Sequence, residues 1–548
     1  MRNLTFFNTV TAISLGFDWG WTFKGISINN CQVGIDMSAV SDTGALNVGS
    51  AILIDSEINN TPVGVLMARS PSSTPVGGDS LILENVSLNN VATAVEGPGG
   101  SVALEGTSGQ MTIAAWGQGN SYIPSQSSSN VPVGPNSFQG VIPANSRPAS
   151  LTAGGDYYER SKPQYELYPS SQFLSVRDAG AIGDGVTDDS AALINVLATA
   201  ASQGKIVFFD AGDYLVTETI YVPAGSKITG ESYPVILSSG SFFADMTNPQ
   251  PVVQVGKSGE TGTVEWSDMI VSSKGAQAGA ILIEWNLAAP TSTPAGMWDV
   301  HTRVGGFVGS DLQLAQCPTT PNTQITLASQ LPQGCIAAFM SMHVTTTATG
   351  LYMENCWLWT ADHDVDDPDL TRISIYSGRG LLIESIEGGI WLYGTAVEHH
   401  TLYQYQLSAT SNIFMGFIQT ETAYYQPNPD ATLPFTQNSA YNDPMIAPGG
   451  SGLALRVVDS DNILVYGAGL YSFFSNYDTT CSDPGSGENC QSEIFSIEDS
   501  FIDVYTLNTV GVTNMVTFNE NPIATYTENN DGFIATIALL RDLSEVAP

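Results

Sequence analysis

The sequence predicts an all-β protein built as two tandem right-handed parallel β-helices, the first of them incomplete. Three observations carry that expectation. The Asn-Asn pairs of ISINN, SEINN and VSLNN end at Asn30, Asn60 and Asn90, a period of 30 residues. Farther on, Ile390 and Ile413 each precede a glutamate by eight residues: Glu398 in TAVEHH and Glu421 in IQTETAYY, 23 positions apart. Both repeats alternate short apolar runs with Gly, Ser and Asn and lack helical periodicity, as stacked coils require. Between them, near Val176, the pattern restarts with a single helical stretch, a plausible lid over the first turn of a second stack.

Bulk composition narrows the partners. A chain of 548 residues exceeds one ordinary core, so two domains are expected. With 53 acidic against 16 basic residues the net charge is −37, which argues against nucleic acid and anionic membranes. It suits a secreted protein acting in acid on an uncharged substrate. A hydrophobic content of 43% excludes wholesale disorder, and no apolar run approaches the ~20 residues of a membrane span.

Taken in order, the N-terminal MRNLTFFNTVTAISLGF has a signal-like look, but Asn8, Thr9 and Thr11 interrupt it. It reads as a strand turn, so the chain is expected to begin inside a domain. Residues 1–125 form the C-terminal part of the first β-helix, where the matching asparagines would ladder and satisfy buried backbone groups at the corners. Trp19 and Trp21 share one strand face. Residues 126–170, rich in Ser, Pro, Asn and Gly, read as a linker. Residues 171–548 form the second β-helix with its capping helix. That helix spans about Ala191 to Ser202, capped by Asp189 or Ser190 and ended by Gly204. Asp184, Asp188 and Asp189 read as cap and turn, not as a metal site. NCWLWTADHDVDD places Trp357 and Trp359 on one face, and its acidic run reads as a solvated loop. Cys317 with Cys335, and Cys481 with Cys490, bracket polar loops and suit local disulfides; Cys31 and Cys356 lie in strand-like runs and suit buried thiols. Asn3, Asn59 and Asn85 head N-x-S/T sequons, compatible with a secretory route.

The chemistry sits on the 23-residue repeat. Matching positions on successive coils lie about 4.8 Å apart, so Glu398 and Glu421 stack. Like charges that close raise one pKa, and one protonated carboxyl beside one carboxylate is the equipment of a glycosidase. Trp391, Tyr393, Tyr403, Tyr405, Tyr424, Tyr425, His399 and His400 crowd the same two turns and suit the apolar faces of a sugar ring. The next coil carries Tyr471 at the matching position, and the Pro/Gly/Asn loop between reads as a binding wall.

GDGVTDDSAAL resembles the entry motif of the pectate-lyase-like β-helix superfamily. ERSKPQYE, NCWLWTADHD, GTAVEHHTLYQYQ and IQTETAYYQP together resemble glycoside hydrolase family 55, exo-acting β-1,3-glucanases of two tandem β-helices. The resemblance implies that Glu421 is the general acid and Glu398 part of the proton relay around the catalytic water. It makes Trp357, Trp359 and Tyr424 substrate contacts, and His399 beside Glu398 is counted with them. It also implies inversion, which needs carboxyls about 6.5–9.5 Å apart, wider than the coil spacing; the side chains are expected to splay. No cofactor and no metal are expected; the partner is β-1,3-glucan, bound by a secreted monomer. The family's upstream coils, a first GDG motif and glutamines that hold the water do not precede Met1, so truncation is expected. Two other readings compete: a pectin-active enzyme, disfavoured by the few Lys and Arg near the glutamates, and a non-catalytic glucan-binding or adhesive β-helix.

Overall fold

Short runs of Val, Ile and Leu punctuated by Asn, Asp and Gly corners stack into parallel ladders, because a strand buried on its inner face needs a neighbour on each edge. The computed structural model describes residues 1–70, 73, 77–124 and 132–541. In the first stack Ser27, Glu57 and Ser87 are successive partners, as are Asn29, Asn59 and Asn89. Ile28, Ile58 and Leu88 line up inside and are at most 2% exposed. Each such burial contributes about 1.5–3 kcal/mol.

The asparagine period has a different cause from the one expected. Asn30, Asn60 and Asn90 are exposed corner residues with φ of 54°, 48° and 55°. Asn is favoured there because it tolerates the left-handed conformation. The side chains satisfy each other rather than buried backbone: Asn90 Nδ2 donates to Asn60 Oδ1 at 3.0 Å, and Asn59 Nδ2 to Asn29 Oδ1 at 3.0 Å.

The first ladder then turns antiparallel. Ser80–Gly97 pairs with Ser101–Pro124, which pairs in turn with Pro132–Val141. Part of the stretch read as a linker therefore extends the sheet. Residues 126–131 lie outside the described residues; of the rest, a central portion packs between the stacks while Leu167 and Tyr168 are exposed. Leu151 and Tyr157 are sealed in one apolar cluster with Ile52 and Ile82 of the first stack and Trp391, Phe414 and Tyr466 of the second. Tyr466 Oη donates to Glu84 Oε2 at 2.8 Å, and Trp391 Nε1 donates to the Leu151 carbonyl at 3.0 Å. The segment lost its linker character because its aromatics are wanted at the seam.

The second stack opens with the helix Ser190–Gln203, ended by Gly204 at φ 65°. Leu193, Val196, Leu197 and Ala200 are its buried side. Asp189 is its N-cap residue as expected, but makes no side-chain cap bond; Asp188, one residue earlier, accepts from Ser190 N at 3.0 Å. Asp189 instead accepts from the amides of Ile182 and Gly183. Beyond it Ile390, Ile413, Ile463 and Ile502 are successive partners, with Tyr405, Leu455 and Phe495 aligned on the second ladder. The strand Ala535–Arg541 runs antiparallel to Ile502–Val510 and parallel to Ser101–Pro124, tying the stacks together. Cys317–Cys335 and Cys481–Cys490 form disulfides, and Cys31 and Cys356 are buried thiols. Among the described residues no helix is long and apolar enough to cross a membrane.

Candidate active site

One column of the second stack carries the site. Trp359, Glu398, Glu421 and Tyr471 are lateral partners in that order, each at or near the end of its strand. Strict register follows from the apolar alternation upstream, since a slip of one residue would turn every core side chain outward. The two carboxyls nevertheless take different partners. Glu398 is 5% exposed; its Oε2 accepts from Trp357 Nε1 at 2.8 Å and its Oε1 from Gln419 Nε2 at 3.1 Å. Glu421 is half-buried, and its Oε2 accepts from Tyr424 Oη at 2.9 Å. Its Oε2 also lies 3.4 Å from His399 Nε2.

Burial first, and the Glu421 charge second, push the Glu398 carboxyl up to about 7. Of the two stacked carboxyls, Glu398 is the more enclosed.

Glu421 opens on a cleft of about 310 Å³ between the stacks, lined with it by Asp18, Trp19, Phe417, Gln419 and Tyr471. No Lys or Arg lines it. Trp19 packs edge-on against Tyr471 at 4.8 Å.

The aromatics divide sharply. Trp357 is 40% exposed and lies stacked on Trp359, ring centroids 4.8 Å apart, while Trp359 is only 3% exposed. The open face is therefore Trp357, and Trp359 is its support. Tyr424 is half-buried between Phe474 and His399. His399, expected to touch substrate, is 4% exposed with both ring nitrogens occupied, so it stands behind the acid pair. Trp391, Tyr393, Tyr403, Tyr405 and Tyr425 are buried as well and belong to packing. Alternation along a strand could not separate them from ligand contacts, because a parallel coil buries its inner face and its seam face alike.

Sequence reasoning missed Gln419, Asp362 and Asp18, and left Trp19 open between packing and ligand contact. Gln419 was findable: two residues before Glu421 it must share that face. Asp362 reaches His399 Nδ1 at 3.5 Å from an acidic run read as a solvated loop. Asp18 had no local signal and Trp19 no deciding one, since only docking of the first stack brings them to the cleft. Among the described residues no group of three or more His, Cys, Asp or Glu could hold a metal ion.

Comparison with known proteins adds a second line. A family model described as rhamnogalacturonase A/epimerase, pectate lyase-like, matches residues 1–36 and 173–293. The chain is 45% identical over 545 residues to a glucan 1,3-beta-glucosidase of Cochliobolus carbonum, covering 98% of this chain and 67% of that one. It is 39% identical to a probable glucan endo-1,3-beta-glucosidase of Arthroderma benhamiae, covering 98% and 70%. Among solved structures, sacteLam55A of Streptomyces sp. SirexAA-E matches with a TM-score of 0.43 and 13% identity, covering 98% of this chain and 81% of that one.

Proposed function

Since the chain belongs to the β-1,3-glucan hydrolases of glycoside hydrolase family 55, we propose that it releases sugar from chain ends with inversion, Glu421 donating the proton. The observation that carries the assignment of roles is the in-register pair Glu398 and Glu421, one enclosed and one opening on a cleft without cations. A cleft lined by Trp19, Tyr471 and a carboxyl suits a neutral sugar ring; an acidic sugar would find no Lys or Arg in its lining.

The geometry supports the following mechanism. Glu421 gives its proton to the glycosidic oxygen as the bond to the anomeric carbon breaks. Water adds its hydroxyl to that carbon from the opposite face, and its proton enters the relay around Glu398. Glu398 keeps a proton up to about neutral pH, so it is not a naked base. It takes one proton as it passes its own along, and the circuit ends by restoring Glu421. Trp357 offers its open face to the sugar and its N–H to Glu398. The same proposal places the protein outside the cell as a monomer; two disulfides suit an oxidising compartment.

Internal cleavage is the second mode, because that is the activity in the name of the Arthroderma relative. Product analysis on laminarin separates the two: glucose alone, first seen as the α-anomer, supports the end-acting inverting reading. Early oligosaccharides would support the other. For the acid, Glu421→Gln should lower glucan turnover by ~10²–10⁴-fold and spare an activated aryl β-glucoside, whose leaving group needs no proton. Equal losses on both substrates would move the donor elsewhere.

A further inference from the structure

We propose that His399 is a positioning residue for the acid pair: clamped between Asp362 and Glu421, its imidazole sets a fixed positive charge behind the carboxyl that donates the proton. The inference rests on the reading of Glu421 as that donor.

Geometry favours the charge. His399 has φ 68°, a conformation uncommon for a residue with a side chain, and its amide donates to the Glu421 carbonyl at 2.9 Å. Held that way, the ring is sealed from solvent and meets acceptors at both nitrogens. Nδ1 faces the Thr360 carbonyl at 3.0 Å and Asp362 Oδ1 at 3.5 Å; Nε2 faces Glu421 Oε2 at 3.4 Å. A backbone carbonyl cannot donate, so Nδ1 carries a hydrogen. A carboxylate at the other nitrogen calls for a second. The imidazolium satisfies both whenever Glu421 is ionised, whereas a neutral ring would need Glu421 to donate its own hydrogen.

The groups around it agree. Asp362, Glu398 and Glu421 all face it, and Tyr424 packs edge-on at 4.7 Å, its hydroxyl given to Glu421. Burial alone would lower its pKa, but the three carboxylates outweigh that and raise it to about 9. The next residue is the internal contrast. His400 is equally buried but bonds Ser341 and Gln404, neutral partners, and burial drives it down to about 3. Adjacent histidines are thus a cation behind the acid pair and a neutral packing group.

A cation there stabilises the carboxylate that Glu421 becomes as its proton leaves, so it favours the transition state over the resting acid.

The test is the pH profile of His399→Gln on laminarin. Removing the cation should move the alkaline limb of kcat up by about one pH unit. KM should change less than about twofold, because the sealed ring touches no substrate. A lower kcat with an unmoved limb would overturn the proposal and leave His399 a structural residue. Should the variant fail to fold, 15N NMR of labelled wild-type histidines decides: both His399 nitrogens protonated at pH 7 supports it, and a neutral ring overturns it. The NMR result does not depend on which carboxyl donates, so failure of the Glu421 reading in the aryl-glucoside assay remains distinguishable.

Discussion

Two regions hold carboxyls driven upward by burial, and they differ in what their oxygens bond. At the cleft, Glu398 bonds the side chains of Trp357 and Gln419. Where the first stack meets the C-terminal segment, Asp18, Asp79 and Asp531 are raised to about 7, 7 and 6, with burial the largest cause in each. These three bond mainly backbone amides: Asp18 that of Gly49, Asp79 those of Ala68 and Arg69, Asp531 those of Phe533 and Ile534, with the Thr536 hydroxyl at 3.4 Å besides. A perturbed pKa therefore marks burial, not chemistry. Side-chain partners can move with substrate; amide partners fix a turn. Asp18 sharpens the lesson, because it lines the same cleft as Glu421 and yet its Oδ2 is sealed and without a hydrogen-bond partner.

That contrast can be broken most severely at Glu398. Glu398→Gln should cost ~10²-fold or more on both native glucan and an aryl β-glucoside, since water delivery is common to the two. A variant that keeps full aryl-glucoside turnover would remove Glu398 from the relay.

Asp18→Asn should act on stability instead. Its folded pKa of about 7 stands above the ordinary 3.8, so the native state binds the extra proton. The associated stability is fully present below about pH 4 and is lost as pH rises through about 7, at most about 4 kcal/mol. Melting of the wild-type protein should therefore fall from pH 4 to pH 8, and Asp18→Asn should flatten that slope and melt higher at pH 8. A difference between the two proteins that does not change with pH would refute this account of the seam.

A smaller effect is expected at Trp357→Phe. The ring remains for the sugar, but Glu398 loses a donor that favours its charged form. The apparent pKa of the pair should rise by about one unit, read from the pH dependence of kcat. No movement would mean that this hydrogen bond does not tune the pair.

Smallest of all, Asn60→Ala should cost about 1–2 kcal/mol by thermal melting, through a left-handed corner and a lost ladder bond, with kcat/KM unchanged. Asn60→Gly should recover much of the loss. An equal loss in both variants would put the cost in the ladder alone.

The repeat, the coil length and the stacking of Glu398 on Glu421 were legible because side chains alternate strictly and neighbouring coils must align their apolar positions. The capping helix was legible within a residue, since Asp188, Ser190 and Gly204 act locally. The two disulfides followed from loop spacing. Less could be read from the aromatics: Trp357 and Trp359 have the same alternation, and only the coil stacked against them decides that one is open and the other closed.

By itself, then, the sequence determined which residues share a column, because register is set by short-range pattern repeated many times. Tertiary structure alone decided what stands across from that column. The first stack brings Asp18 and Trp19 to Glu421, the Leu151–Tyr157 segment fills the seam, and Asp362 is drawn to His399. Those contacts join residues far apart in the chain through packing of irregular surfaces, which carries no period to read. Exposure, hydrogen-bond partners and charge state are set there, so the identity of the carboxyl pair came from the pattern and its division of labour from the docking of the two stacks.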